Sequence, residues 1–155
     1  MHRAAEDHDL PEEPDAGGPR VGGSCPFCRI VRGLAPAEVL RDWPDALAIL
    51  PQGGGVTAGH VLVLPKTHVP DVAADPLVSA ATMRRVAELA GEMGDCNVIT
   101  SRGAAATQTV PHLHVHLVPR HHGDGLSLPW TPRAAGGTRR PGPDRRPWSV
   151  RPAGR

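Results

Sequence analysis

The sequence has no tyrosine, one phenylalanine and three tryptophans among its 155 residues. Any core must therefore be assembled from Val, Leu, Ile and Ala, with few large side chains. Long apolar runs are missing too. The longest aliphatic stretch, Val61 to Leu64, is far short of the roughly 18 residues a membrane helix needs. The opening MHRAAEDHDLPEEPD is acidic where a signal peptide would be basic and then apolar. A soluble, cytoplasmic chain with no membrane partner is the expectation. The length excludes a large multidomain enzyme but leaves room for a compact core of about 100 residues.

Proline and glycine, by contrast, are plentiful at 18 each, and the formal net charge of +1 hides an asymmetry. Residues 1–23 set Glu6, Asp7, Asp9, Glu12, Glu13 and Asp15 against Arg3 and Arg20, whereas residues 131–155 set seven arginines against Asp144 alone. Both ends are rich in Pro and Gly and lack hydrophobic periodicity, a composition that buries too little surface to offset ordering entropy. They read as a disordered acidic tail (1–23) and a disordered basic tail (131–155). His2 and His8 belong to the first. The basic end has the charge to touch nucleic acid or an acidic membrane. A solvated tail is the simpler account, and nucleic acid is not an expected partner.

Between the tails, residues 24–130 alternate short strand-like runs with turn signals. Val39 to Asp42 and Ala46 to Leu50, separated by Trp43-Pro44-Asp45, look like a hairpin. Gln52 to Gly59 is a Gly-rich loop, and His60 to Pro65 a strand closed by its proline. One helix stands out. Asp75 sits at an N-cap with Pro76 at N1, Val86, Leu89, Ala90 and Met93 form a stripe, and Gly94 is placed as the stop. Asn97 to Ser101 and His112 to Val118 read as two more strands. About five short strands, one main helix and connections too short for parallel crossovers predict an antiparallel α+β domain.

His112, His114 and His116 alternate with Leu113, Val115 and Leu117. At a strand's period of two, the three imidazoles share one face about 7 Å apart while the aliphatics enter the core. With nine histidines in 155 residues, the pattern arises by chance in about 3% of such chains. On its own it fits a metal site as well as a nucleophile. Cys25 and Cys28 form Cys-Pro-Phe-Cys, which fits a redox pair, half a zinc site or two buried small residues. Cys96 has no partner in sequence and reads as a small buried residue.

The run PHLHVHLVPR at 111–120 resembles the signature of the histidine triad superfamily of nucleotide hydrolases and transferases. The resemblance continues through CPFCRIVRG at 25–33, PAEVL at 36–40, AGHVLVLPKTHV at 58–69, Asn97-Val98 and the ATQTV before the triad. It covers residues 24–130 in the family's order and spacing. The resemblance implies an α+β histidine triad fold, an antiparallel sheet of about five strands with one principal helix, and a homodimer. It places the family's nucleophile on His114, attacking an α-phosphorus to form a nucleotidyl-histidine that water or another acceptor resolves. An imidazole with an unperturbed pKa near 6.5 is mostly neutral at pH 7 and needs no separate base.

On the same resemblance His116 contacts the phosphate or bridging atom, and His60 orients the site. Thr109 aims a hydroxyl at the phosphate, backbone N–H groups of 103–108 are further donors, and Gln52, Asn97, Ser101 and Gln108 complete the nucleotide contacts. Some members, and the related galactose-phosphate uridylyltransferases, hold a structural zinc through such a Cys pair and two histidines, here Cys25, Cys28, His68 and His112. Two thiolates and two imidazoles suit tetrahedral zinc. Trp130 lies where the family brings a C-terminal segment over the site, and it either walls the base or packs. Three departures stand out: Thr107 replaces a Gly, Ser101 an Asn or Gln, and Gln52 an Asp or Asn. If position 107 needs a positive φ, the loop must differ. The alternative is a non-catalytic nucleotide-binding or zinc-stabilised interaction module.

Overall fold

In the computed structural model, which describes residues 25–128, the aliphatic runs pair into one five-stranded sheet. Helix α1 (Pro26–Val31) leads into strands β1 (Val39–Asp42), β2 (Ala46–Ile49) and β3 (Val61–Pro65). Helix α2 (Pro76–Ala90), β4 (Cys96–Ile99), a single 3-10 turn (Ala104–Ala106) and β5 (Val115–Pro119) follow. The strand order is β1-β2-β3-β5-β4 and every neighbouring pair is antiparallel. One expectation is corrected here. The connection from β3 through α2 to β4 is long enough for a crossover, so those strands run parallel and β5 is inserted between them. The two tails with their expected disorder, and Trp130, His2 and His8, lie outside the described residues.

The register divides the side chains between two faces. Ala46, Ala48, Val61, Val63, Val115 and Leu117 point toward α2, where Val86 and Leu89 meet them with Leu113. On the other face Leu47, Ile49, Leu62 and Leu64 pack with Phe27 of α1. Strand β3 is buried at every position, which is why its sequence is continuously aliphatic rather than alternating. His116 pairs with Leu62 on one side and Ile99 on the other, so it shares the α1 face.

Helix α2 begins as its sequence predicts. The Asp75 carboxylate accepts from the Leu77 and Val78 N–H groups at 2.8 and 3.2 Å, with Pro76 in the first turn. Its buried Thr82 hydroxyl donates to the Val78 carbonyl at 2.8 Å, the i−4 bond that lets a hydroxyl enter a core. The stop comes earlier than expected, at Gly91 rather than Gly94. Strand β5 also starts later than expected, at Val115 rather than His112. Ahead of Val115 the backbone bonds elsewhere, from His112 N–H to Val110 O at 2.8 Å and from Leu113 N–H to Val69 O at 2.7 Å.

Candidate functional site

Helix α1, which the periodicity analysis does not find because six residues are too few to show a period, carries Cys28, with Cys25 at its N-cap. Its first turn turns the two thiols toward His68, in the loop after β3, and His112, ahead of β5. The Cys28 sulfur lies 3.2 Å from His68 Nδ1 and 3.5 Å from His112 Nδ1, and the Cys25 sulfur 3.5 Å from His112 Nδ1. The two Nδ1 atoms are 3.1 Å apart. A tetrahedral zinc ion, with bonds of about 2.3 Å to sulfur and 2.0 Å to nitrogen, sets S···N edges of about 3.5 Å and an N···N edge of about 3.3 Å. The donor set fits such an ion in chemistry and in size.

The tautomer fits as well. His112 Nε2 donates to the Pro65 carbonyl at 2.9 Å, which leaves the Nδ1 lone pair facing the cluster, the usual outer support of a metal-bound imidazole. Burial is the main reason His112 is pushed down to about 4 and is neutral at pH 7. Burial also raises the Cys28 thiol, with the neighbouring Cys25 adding to it.

The next two histidines of the triad hold opposite tautomers, and backbone groups decide both. His114 Nδ1 donates to the His112 carbonyl at 2.7 Å, so its Nε2 carries a lone pair. His116 is set through His60. The Val56 N–H donates to His60 Nδ1 at 3.1 Å, which puts the His60 proton on Nε2, and that atom lies 3.0 Å from His116 Nδ1. His116 Nδ1 therefore accepts, and its own proton sits on Nε2. Burial, reinforced by His114 and His60, pushes His116 down to about 4 and keeps it neutral. Burial likewise lowers His60. Among the described residues no buried side-chain nitrogen or oxygen lacks a partner, so both Nε2 atoms face accessible space. An Nε2 acceptor and an Nε2–H donor stand on rings whose centroids are 5.1 Å apart.

The expected substrate residues divide. Gln52 is exposed and lines a cavity of about 360 Å³ together with His60, Glu38 and Leu50. Ser101 is half-buried beside Thr100, and Thr109 is exposed at the end of the preceding loop. Gln108 and the oxygen of Asn97 bond to the scaffold. The Gln108 amide oxygen accepts from Gly103 N–H at 2.8 Å and its NH2 donates to Pro70 O at 2.7 Å and Val110 O at 3.1 Å. Both of its donors are thus used in bracing the loop. Asn97 Oδ1 accepts from Arg120, whose guanidinium also grips Asp124 and holds its carboxyl well below the usual carboxylate range.

The loop's main-chain donors are also largely consumed: the N–H groups of Gly103, Ala106, Thr107 and Gln108 all bond within it. Thr107 takes φ 65°, the one non-glycine in the left-handed region among the described residues. The threonine thus takes a conformation that glycine favours.

Two contributors escape the sequence reading. Phe27 sets its ring edge against His112 at 5.8 Å and His114 at 5.1 Å between centroids, and the Thr100 hydroxyl donates to the His114 carbonyl at 2.9 Å. Being the sole Phe in the chain, inside the Cys-x-x-Cys, was the available signal for the first. Nothing in the sequence marks the second.

Comparison with known proteins gives a consistent result. The HIT domain family matches residues 32–123. An uncharacterised HIT-like protein of Mycobacterium tuberculosis is 39% identical over 67% of this chain and 76% of its own length. The adenosine 5'-monophosphoramidase of Schizosaccharomyces pombe is 33% identical over 69% of this chain and 83% of its own. A zinc-bound histidine triad family protein of Mycobacterium smegmatis superimposes with a TM-score of 0.60 at 42% identity, over 68% of this chain and 81% of the other.

Proposed function

This chain belongs to the HIT, or histidine triad, family, and on that premise we propose that it hydrolyses or transfers a nucleotidyl group at the α-phosphorus of a nucleotide derivative. The observation that carries the proposal is the opposed polarity of His114 Nε2 and His116 Nε2. His114 Nε2 forms the new N–P bond in line with the leaving group, whose bond to phosphorus breaks with the electron pair on the leaving atom. The leaving atom takes its proton from water. His116, a neutral ring, donates a hydrogen bond to the bridging or phosphate oxygen but gives up no proton, since that would leave an imidazolate. It acts as a fixed dipole aimed at developing charge. His60 acts through His116 and is a positioning residue. Water then cleaves the N–P bond, releasing the nucleoside monophosphate and restoring His114.

Gln52 and Ser101 are proposed to contact the nucleoside, and Thr109 the phosphate. A phosphoramidase or dinucleoside polyphosphate hydrolase is the proposed type, the first echoing the yeast relative's name. Zinc is proposed as structural: Cys25, Cys28, His68 and His112 would hold it, and four protein ligands would leave no open position for an activated water. A homodimer in the cytoplasm is the proposed state; the dimer is supported by an edge strand, β4, that leaves Val98 44% and Ile99 39% exposed.

The test is His114→Asn. Turnover of a nucleoside phosphoramidate should disappear while nucleotide binding survives, and mass spectrometry of quenched wild-type protein should find a nucleotidyl adduct. Undiminished turnover in the variant overturns the mechanism. The use of Gln108 and Asn97 inside the scaffold favours, as a second reading, a nucleotide-binding module without significant catalysis. It predicts saturable binding and no turnover across phosphoramidates, dinucleoside polyphosphates and nucleotide sugars.

A further inference from the structure

The loop between β2 and β3 contains Gly53, Gly54 and Gly55 in succession, all with positive φ. Only one of them is also crowded. A Cβ at Gly53 or Gly54 would meet nothing within 4 Å, whereas a Cβ at Gly55 would lie 2.6 Å from His60 Nδ1 and 2.7 Å from its Cβ. Gly55 is therefore required twice, for its φ of 69° and for the passage of its backbone across the His60 ring. The next residue, Val56, donates its N–H to that same Nδ1 at 3.1 Å while its side chain is exposed. The main-chain N–H of His60 returns to Thr57 O at 3.1 Å, so the loop is tied to His60 through both its ring and its backbone.

We propose that the Gly55–Val56 step is a positioning element of the reaction: it holds His60 as an acceptor at Nδ1 and thereby keeps the His116 proton on Nε2, facing the phosphate. This rests on the catalytic reading of His114 and His116 above. A ring nitrogen that accepts a main-chain N–H holds no proton in the neutral ring. Two hydrogen bonds then carry that choice from the loop to His116. Without the Val56 donor, His60 is free to protonate at Nδ1, His116 Nδ1 loses its donor, and the outward Nε2 of His116 becomes an acceptor that repels a phosphate oxygen.

The experiment uses the full chain at pH 7.5, where His60 and His116, both lowered by burial, are neutral. Long-range proton–nitrogen NMR of the histidine rings reads the tautomers directly. In wild type His60 and His116 should both be protonated at Nε2; a proton on His116 Nδ1 overturns the inference without any variant. Val56→Pro removes the donor and Gly55→Ala forces the ring away. Each should shift the His60 and His116 tautomers and lower kcat for a nucleoside phosphoramidate by about ten- to a hundredfold with KM within about twofold. Val56→Ala keeps the N–H and should restore both readouts. If Val56→Pro or Gly55→Ala folds with wild-type melting, wild-type ring signals and wild-type kcat, this inference fails even where His114→Asn is inactive. If His114→Asn still turns over, the failure belongs to the mechanism beneath it.

Discussion

Single residues here carry conflicts between local preference and site geometry, and Thr107 is the clearest. A β-branched side chain at φ 65° pays a steric penalty of about 1–3 kcal/mol that glycine avoids. Thr107→Gly should therefore stabilise the protein by about 1 kcal/mol after the extra chain entropy of glycine is counted, read as a melting temperature several degrees higher. A lower one would mean that Thr107 makes compensating contacts. The histidines make a second prediction. Burial sets His116 at about 4 and lowers His60, whereas in the unfolded chain both titrate near 6.5. Between about pH 6.5 and 4 the unfolded chain binds more protons, so stability is full above 6.5 and declines on acidification, by up to about 1.4 kcal/mol per pH unit for each such ring. Urea melts at pH 7.5, 6 and 5 should show the decline, and His116→Asn should make it shallower, with His60 and His112, also lowered by burial, still contributing.

Elements decide which residues meet. Helix α1 brings both cysteines to the Cys/His cluster and sets Phe27 against His112 and His114, so a change at the cluster is expected to be felt next to the proposed nucleophile. Cys28→Ser should lower zinc content and melting temperature together, while His114→Asn should leave both close to wild type; elemental analysis and calorimetry check this. Loss of metal in His114→Asn would reverse the assignment of ligand and nucleophile. Helix α2 depends on its cap. Asp75→Ala removes the acceptor for two N–H groups and should cost about 1 kcal/mol, measured by denaturant midpoint, with kcat unchanged because α2 lies on the sheet face opposite His116.

For the whole molecule, β4 is a sheet edge that leaves Val98 and Ile99 exposed, a surface suited to pairing with a second copy. Val98→Lys should convert a dimer to monomer in light scattering, and wild type already monomeric at micromolar concentration would remove the dimer. Sequence alone determined a good deal at this scale. The aliphatic runs, the Asp75-Pro76 start and the alternation of His with Leu and Val are local signals, because burial and capping act within a few residues. The resemblance carried by PHLHVHLVPR and its companion motifs named the proposed nucleophile, His114, and the four candidate ligands. Only the tertiary structure decided which nitrogen of each histidine holds the proton, since the partners that choose are carbonyls and an N–H brought together by folding: Pro65 for His112, His112 for His114 and Val56 for His60. It also decided that the Gln108 amide and the Asn97 oxygen bond to the scaffold, because an amide's hydrogen bonds go to whatever backbone or guanidinium the fold sets beside it, and those partners lie up to 38 residues away.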